Sequence, residues 1–370
     1  MPHNKTDIFP DPEYITPIYQ NDSALTTNIQ MQLRSENVNI NSNGPKPSER
    51  PMATRRRALT DISNNARANT APGPGPPVTK PPVVVAPVVA PVPVRVYMQR
   101  EPSDVDERDK LNPNCCTEVI NEMFHSFRAV EVLHAIDGSY MSGQAHLNSK
   151  MRRILVDWLV DIHARFKMVP ETLYLAVNYI DRYLQVTHDV RRSKLQLVGI
   201  TAMFIASKYE EIYPPSVDQY VKITDRAYTK KEILAMEFNM CGALQFQLTV
   251  PTAHSFLCRT LKAANVNTLE MVQLCSYITE RSLQEYQMLQ FRPSVVAAAA
   301  VSIARQSSNR YPWSPTLVRY IGYDECDIAD CIAEMRTYLS APPDSADQTT
   351  VYKKYSSSKY GRAAQTHLTF

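Results

Sequence analysis

Apolar side chains recur every three or four residues from about Leu111 to the C-terminus, and strand-like alternation is hard to find there. This spacing places apolar side chains on one face of an α-helix, so the region is predicted to be helical throughout. Prolines and capping pairs mark several helix starts. They are Pro170, Pro293, Ser216 with Gln219, and Thr229 with Glu232.

The helical pattern divides into two sets. One helix is predicted near residues 117–133, five between 148 and 246, and roughly five more from 251 to 339. The second set has apolar runs of its own, such as residues 295–301, so each set can bury a separate core. The predicted fold is therefore all-α, with two tandem five-helix bundles behind an N-terminal helix.

The first 110 residues have a different composition, rich in Asn, Ser, Thr and Pro, with nine prolines between residues 72 and 93. Such a segment buries too little apolar surface to offset the entropy of ordering, so a disordered arm is predicted. Four parts of the chain are predicted. They are the arm (1–110), the first bundle with its preceding helix (111–249), the second bundle (250–363) and a tail (364–370).

The charge of the chain is nearly balanced, with 40 basic and 37 acidic residues. This balance offers no overall electrostatic attraction to nucleic acid or to an anionic membrane. The seven cysteines form no CxxC pair, and no run of 18 apolar residues occurs. We therefore expect a soluble protein of the cytoplasm and nucleus, without a zinc site or a disulfide framework.

Motifs for catalysis are absent from the sequence. The six glycines beyond residue 110 form neither GxGxxG nor GxxxxGK[ST], and HExxH and GxSxG do not occur. His163 and His254 lie in apolar helical sequence, where a structural role is the more common one. The sequence predicts a protein that is not an enzyme and has no cofactor and no metal.

Residues 151–159 (MRRILVDWL) open a helix with two apolar stripes. The first stripe has the spacing of an ordinary core: Leu155, Leu159, Ile162 and Phe166. The second stripe is Met151, Ile154 and Trp158. It is either a wider buried face or an exposed groove, for which Met and Trp are suitable linings.

Two charges interrupt apolar stretches further along the chain. Lys208 ends a largely apolar helix, and Glu237 lies between Ile233 and Phe238. The simpler interpretation is a charge at a helix end and one on a solvated face. The alternative is that they anchor a partner, because charges in an apolar setting are costly unless they are paired.

Several long motifs, in order along the chain, resemble the cyclin family. Residues 151–159 resemble its MRAIL helix, and they are followed by ETLYLAVNYIDR (171–182), KLQLVG (194–199) and ASKYEEIYPP (206–215). The segments at 131–133 and 353–360 resemble B-type members in particular. The resemblance covers roughly residues 115–362 and implies the tandem cyclin fold, which agrees with the helix count.

The resemblance implies a non-catalytic subunit that binds and activates a mitotic cyclin-dependent serine/threonine kinase. The implied kinase-binding residues are Lys208, Glu237, Tyr209, Phe246, Leu248 and Met123. It also implies a docking patch for substrates or inhibitors with an Arg-x-Leu sequence. The patch residues are Met151, Ile154, Leu155, Trp158, Asp161, Arg192 and Gln196, with Asp161 supplying a carboxylate for the incoming Arg. Arg153 stands where the family has a small residue.

The arm contains a segment, residues 56–64 (RRALTDISN), that resembles the destruction box RxxLxxIxN read by the mitotic ubiquitin ligase. Its matching residues are Arg56, Leu59, Ile62 and Asn64. RxxL alone is weak evidence because it also occurs at 108–111, 152–155, 192–195 and 336–339. The copy in the arm has the additional Ile and Asn, and lies in sequence that can bind in an extended conformation. The alternative is a basic surface patch or a nuclear-import fragment.

Two other functions remain open from the sequence. One is a transcription-type cyclin-fold protein, which usually has a basic face or a zinc ribbon, and neither is evident here. The other is a helical scaffold without a kinase partner. A scaffold would not depend on Lys208 and Glu237.

Overall fold

The computed structural model describes residues 104–308, 313–340 and 349–368. In these ranges the chain forms twelve α-helices and no β-strand, which confirms the predicted all-α fold. The helices are Ile120–Leu133 (α1), Ser149–Phe166 (α2), Pro170–Val186 (α3), Leu195–Glu210 (α4), Val217–Ile223 (α5), Lys230–Ala243 (α6), Ala253–Ala263 (α7), Leu269–Ser282 (α8), Pro293–Ser307 (α9), Pro315–Ile321 (α10), Glu325–Leu339 (α11) and Thr350–Tyr355 (α12).

The helices α2 to α6 form a first repeat, and α7 to α11 form a second. In both repeats the third helix is central: α4 contacts α2, α3, α5 and α6, and α9 contacts α7, α8 and α11. The two sets of five helices that the sequence predicts are confirmed.

The central helix α4 is buried because its sequence is apolar on every face. Twelve of its 16 residues are buried, as expected for a helix surrounded by others. A Cβ atom at Gly199 would lie 2.6 Å from Leu155 Cδ1 of α2. The absence of a side chain at Gly199 therefore allows α2 and α4 to pack closely.

The predicted helix starts are present. Glu232 N donates to Thr229 Oγ1 (3.2 Å), and Thr229 N donates to Glu232 Oε2 (3.0 Å), which completes a capping box at α6. Ser216 N donates to Gln219 Oε1 (2.7 Å) at α5. Prolines occupy the first turns of α3 and α9. The helix α1 begins later than predicted, at Ile120, because residues 117–119 form a turn.

A buried ion pair ties the two repeats together. Arg152 of α2 donates from Nε and Nη2 to the two carboxylate oxygens of Asp181, both at 2.6 Å. Its Nη1 donates to the carbonyl oxygen of Leu283 (2.9 Å), just after α8. One arginine thus joins α2, α3 and the second repeat, and its charge is fully paired in the interior.

The N-terminal helix α1 packs on the second repeat. The Phe124 ring centroid lies 6.1 Å from that of Phe256 in α7. Arg128 donates to the carbonyl oxygens of Tyr320 (3.0 Å) and Ile321 (2.9 Å) at the C-terminus of α10. A cation in that position complements the helix dipole.

The last residues of the predicted arm, 104–110, also pack on the second repeat. The Asp106 carboxylate accepts two hydrogen bonds from Arg259, both 2.7 Å, and one from Lys262 Nζ (2.7 Å). Asp106 and Arg259 are both buried. The folded region therefore begins before the predicted boundary at residue 110, whereas residues 1–103 lie outside the described ranges.

Candidate functional site

Lys208 and Glu237 meet at the surface of the first repeat. Lys208 lies in the last turn of α4 and Glu237 in α6, and their side chains form an ion pair. The Lys208 ammonium also lies 4.3 Å from the centroid of the Phe204 ring, a cation–π contact. The Lys208 side chain is 43% exposed and that of Glu237 17%. Both charges are therefore paired within the chain, while the pair remains accessible.

Three of the predicted apolar residues lie on the chain segments beside this pair. Tyr209 follows Lys208 directly, and its hydroxyl contacts Thr249 Oγ1. The carbonyl of Leu248 accepts a hydrogen bond from Tyr179 OH (2.8 Å), which holds the segment after α6 against α3. Phe246 lies in the same segment, has a left-handed backbone conformation and is 68% exposed. Met123 is separate from them, half-buried on α1.

Further exposed apolar side chains lie near the pair and were not predicted as site residues. Leu234 and Phe238 are four residues apart on α6, and Phe238 is 76% exposed. Ile212 and Tyr213 are exposed in the loop after α4. In the sequence, the sign of this surface was the apolar residues Leu234 and Phe238 near Glu237. Such residues occur both in a core and on a contact surface. Clusters of large exposed apolar side chains mark surfaces that bind other proteins.

The second apolar stripe of α2 is divided between core and surface. Met151 is buried, as is Leu155 of the first stripe, whereas Ile154 and Trp158 are only half-buried. Arg192, in the 3-10 turn just before α4, and Gln196, in the first turn of α4, are half-buried as well. The two interpretations of the stripe each describe part of it, because its outer residues reach solvent and its inner ones belong to the core.

Two charged residues of this region, Asp161 and Arg153, already have partners within the chain. Arg165 Nε lies 2.9 Å from Asp161 Oδ2, one turn apart on α2. Arg153 Nη2 lies 3.7 Å from Glu285 Oε1 in the second repeat. The unusual Arg153 is thus paired across the boundary between the repeats.

The two histidines of apolar sequence make structural contacts. His163 is buried, which lowers its pKa to about 4, and its Nε2 lies 2.9 Å from the Val169 carbonyl oxygen. His254 Nδ1 lies 3.0 Å from Glu171 Oε2. In the part of the chain that the structure describes, no three His, Cys, Asp or Glu side chains group as metal ligands. Within the same ranges no helix is long and apolar enough to cross a membrane.

The predicted destruction box at residues 56–64 lies outside the described residues. Two of the other RxxL sequences, at 152–155 and 192–195, contain buried residues. Arg152 and Leu155 are buried within α2, and Leu195 is buried at the start of α4. A site that binds an extended peptide could bind these two copies only if a helix unfolded.

Two family models match the chain. They are "Cyclin, N-terminal domain" at residues 122–249 and "Cyclin, C-terminal domain" at residues 251–368. A cyclin-B2-1 of Oryza sativa subsp. japonica is 43% identical over 265 residues, which are 71% of this chain and 62% of that protein. A cyclin-B1-4 of Arabidopsis thaliana is 42% identical over 266 residues, covering 70% and 67%.

A G2/mitotic-specific cyclin-B of Patella vulgata is 40% identical over 257 residues, which are 70% of this chain and 62% of that protein. The matched part of the chain thus spans about three fifths of the length of most of these relatives. The crystal structure of a viral cyclin from herpesvirus saimiri is similar, with a TM-score of 0.54 and 18% identity. That match covers 59% of this chain and 96% of the viral protein, and it shows a shared fold.

Proposed function

The chain belongs to the cyclin family, and we propose that it is the regulatory subunit of a mitotic cyclin-dependent serine/threonine kinase. The relatives described above are B-type cyclins, and one of them is named as G2/mitotic-specific. In this proposal the chain binds and activates the kinase at the G2/M transition and contributes no chemical group to phosphoryl transfer. It acts in the cytoplasm and the nucleus.

The observation that carries the proposal is the accessible Lys208–Glu237 pair among exposed apolar side chains. A partner can bury the apolar residues, accept hydrogen bonds from the Lys208 ammonium and donate hydrogen bonds to the Glu237 carboxylate. Tyr209, Phe246 and Leu248 form the predicted apolar contact, Met123 adds a contact from α1, and Phe238 extends the surface. Docking here pushes the αC helix of the kinase inward, so that the kinase forms its own Lys–Glu ion pair.

Two further parts of the proposal concern substrates and lifetime. The half-buried Ile154 and Trp158, with Asp161 beside them, would dock ligands with an Arg-x-Leu sequence and raise their concentration near the kinase. The destruction box at residues 56–64 would bind the mitotic ubiquitin ligase at mitotic exit. The arm and the folded repeats would then have separate tasks.

The test is activation of a purified mitotic kinase subunit, measured as histone phosphorylation. We expect the double variant Lys208→Ala/Glu237→Ala to lose activation with an unchanged circular dichroism spectrum, because the pair is at the surface. Asp218→Ala/Lys230→Ala is the matched control, since it removes another exposed ion pair (3.8 Å) at the first repeat. Replacing Arg56 and Leu59 with alanine should leave activation intact.

Full activation by the Lys208→Ala/Glu237→Ala variant would contradict the anchor assignment and favour a helical scaffold. A wild-type chain that activates only a polymerase-linked kinase would favour the transcription-type alternative. Histone phosphorylation by the chain without any kinase would contradict the non-catalytic role.

A further inference from the structure

Asp161, the acid of the docking patch, is paired with an arginine of its own helix. Arg165 Nε lies 2.9 Å from Asp161 Oδ2, and the two side chains are 43% and 25% exposed. Residues 154, 158, 161 and 165 follow one another at spacings of four, three and four, so they share one face of α2. The carboxylate that would receive an arginine from a ligand therefore already holds one from this chain.

We propose that Arg165 is a specificity-determining residue of the docking patch, because it competes with the ligand's arginine for Asp161. The inference rests on the proposed docking function and adds a regulator of affinity to it. A ligand arginine must either displace Arg165 from Oδ2 of Asp161 or share the carboxylate with it. Displacement exchanges one ion pair for another, and in both cases the Arg165 charge remains beside the bound ligand.

The Asp161–Arg165 ion pair is weak enough for a ligand to compete with it. An exposed pair with the acid one turn N-terminal to the base changes an equilibrium constant by only about twofold. Arg165 can therefore be displaced, but a ligand arginine gains little net free energy from Asp161. Apolar contacts with Ile154 and Trp158 then decide which ligands bind, and leucine at the third position of the ligand matters more than arginine at the first.

Arg153, which stands where the family has a small residue, does not have this role. Its guanidinium is directed to Glu285 in the second repeat, at 3.7 Å. Arg165 is on the same face as the patch, and its neighbour Ala164 and Lys167 beyond it are exposed. The cation that modifies the patch is thus near the C-terminus of α2.

The experiment measures binding of two fluorescent peptides to the full chain by anisotropy. One peptide contains Arg-x-Leu, and the other has neutral citrulline in place of Arg. The variants are Arg165→Gln, which keeps helix propensity and removes the charge, Asp161→Asn, and the double variant. We expect Arg165→Gln to bind the arginine peptide about two- to fivefold more tightly at low salt, because a competing and repelling charge is lost.

The citrulline peptide should bind the wild type and Arg165→Gln equally, and the gain should vanish in the Asp161→Asn background and at high salt. An unchanged affinity for the arginine peptide, or an equal gain for both peptides, would overturn the role of Arg165. If the wild type bound neither peptide while still activating the kinase, the docking patch and this inference would both fall. The proposed kinase activation would stand.

Discussion

Glu210, the last residue of α4, is a carboxyl group in an unfavourable setting. Burial and the nearby charges of Glu171 and Glu211 raise its pKa to about 7 from 4.5. Folding therefore favours the protonated form, so its contribution is most favourable below pH 4.5 and is lost as the pH rises through 7. We expect Glu210→Gln to raise the free energy of unfolding by about 2 to 3 kcal/mol at pH 8.

The gain should shrink at pH 5, where Glu210 is protonated in the folded chain. Urea unfolding at the two pH values checks this, with Glu122→Gln on the exposed face of α1 as the control. An equal gain at pH 5 and pH 8 would show that packing, and not titration, is responsible.

Among single residues, resemblance located Lys208 and Glu237, but the sequence did not reveal that they pair with each other. They are 29 positions apart on different helices, and only the packing of α4 beside α6 brings them together. Trp158 and Ile154 show the same limit. Periodicity placed them on an apolar face, whereas their partial exposure depends on what covers that face.

The N-terminus of α12 is anchored by one residue of the first repeat. Asp157 of α2 accepts hydrogen bonds from Thr350 N (2.6 Å), Thr350 Oγ1 (2.8 Å) and Gln284 Nε2 (2.7 Å). Asp157→Ala would leave these donors without their acceptor, at a cost of about 2 to 3 kcal/mol. We expect faster amide hydrogen exchange in α12 before the rest of the chain is affected.

The control for this variant is Asp218→Ala, which removes an exposed acid paired only loosely with Lys230 (3.8 Å). Its stability should differ from the wild type by less than about 0.5 kcal/mol. Unchanged exchange in α12 of the Asp157→Ala variant would mean that other contacts, such as Lys354 with Glu280, suffice to hold the helix.

Helix starts were predictable because their signals lie within one turn. Pro170, Pro293 and the Thr229–Glu232 pair each specify a local geometry that does not depend on distant residues. The location of α12 was not predictable, since its contact with Asp157 joins residues 193 positions apart. Local chemistry determines where a helix begins, and tertiary packing determines what it touches.

For the whole molecule, the two repeats of five helices followed from the apolar period and from the count of starts. The N-terminal boundary did not, because six of the seven residues 104–110 are charged and show no apolar period. Their order comes from Arg259, 153 positions away from Asp106. The buried Arg259 requires an anionic partner, and Asp106 of this polar segment supplies it.

That requirement predicts how far the chain can be shortened. Burial opposes ionisation of Asp106, but hydrogen bonds from Arg259 and Lys262 outweigh it and hold the Asp106 pKa below its ordinary 3.8. The pair therefore stabilises the fold above about pH 4, and this stabilisation is lost as the pH falls further.

A chain lacking residues 1–103 keeps the pair and should melt like the full chain at pH 7. Asp106→Ala in that shortened chain leaves Arg259 buried without its carboxylate, which should cost about 3 kcal/mol at pH 7. Equal melting temperatures for the two shortened chains at pH 7 would show that residues 104–110 merely cover the second repeat, and that Arg259 is satisfied by Asn121 and the Phe124 and Tyr320 rings alone.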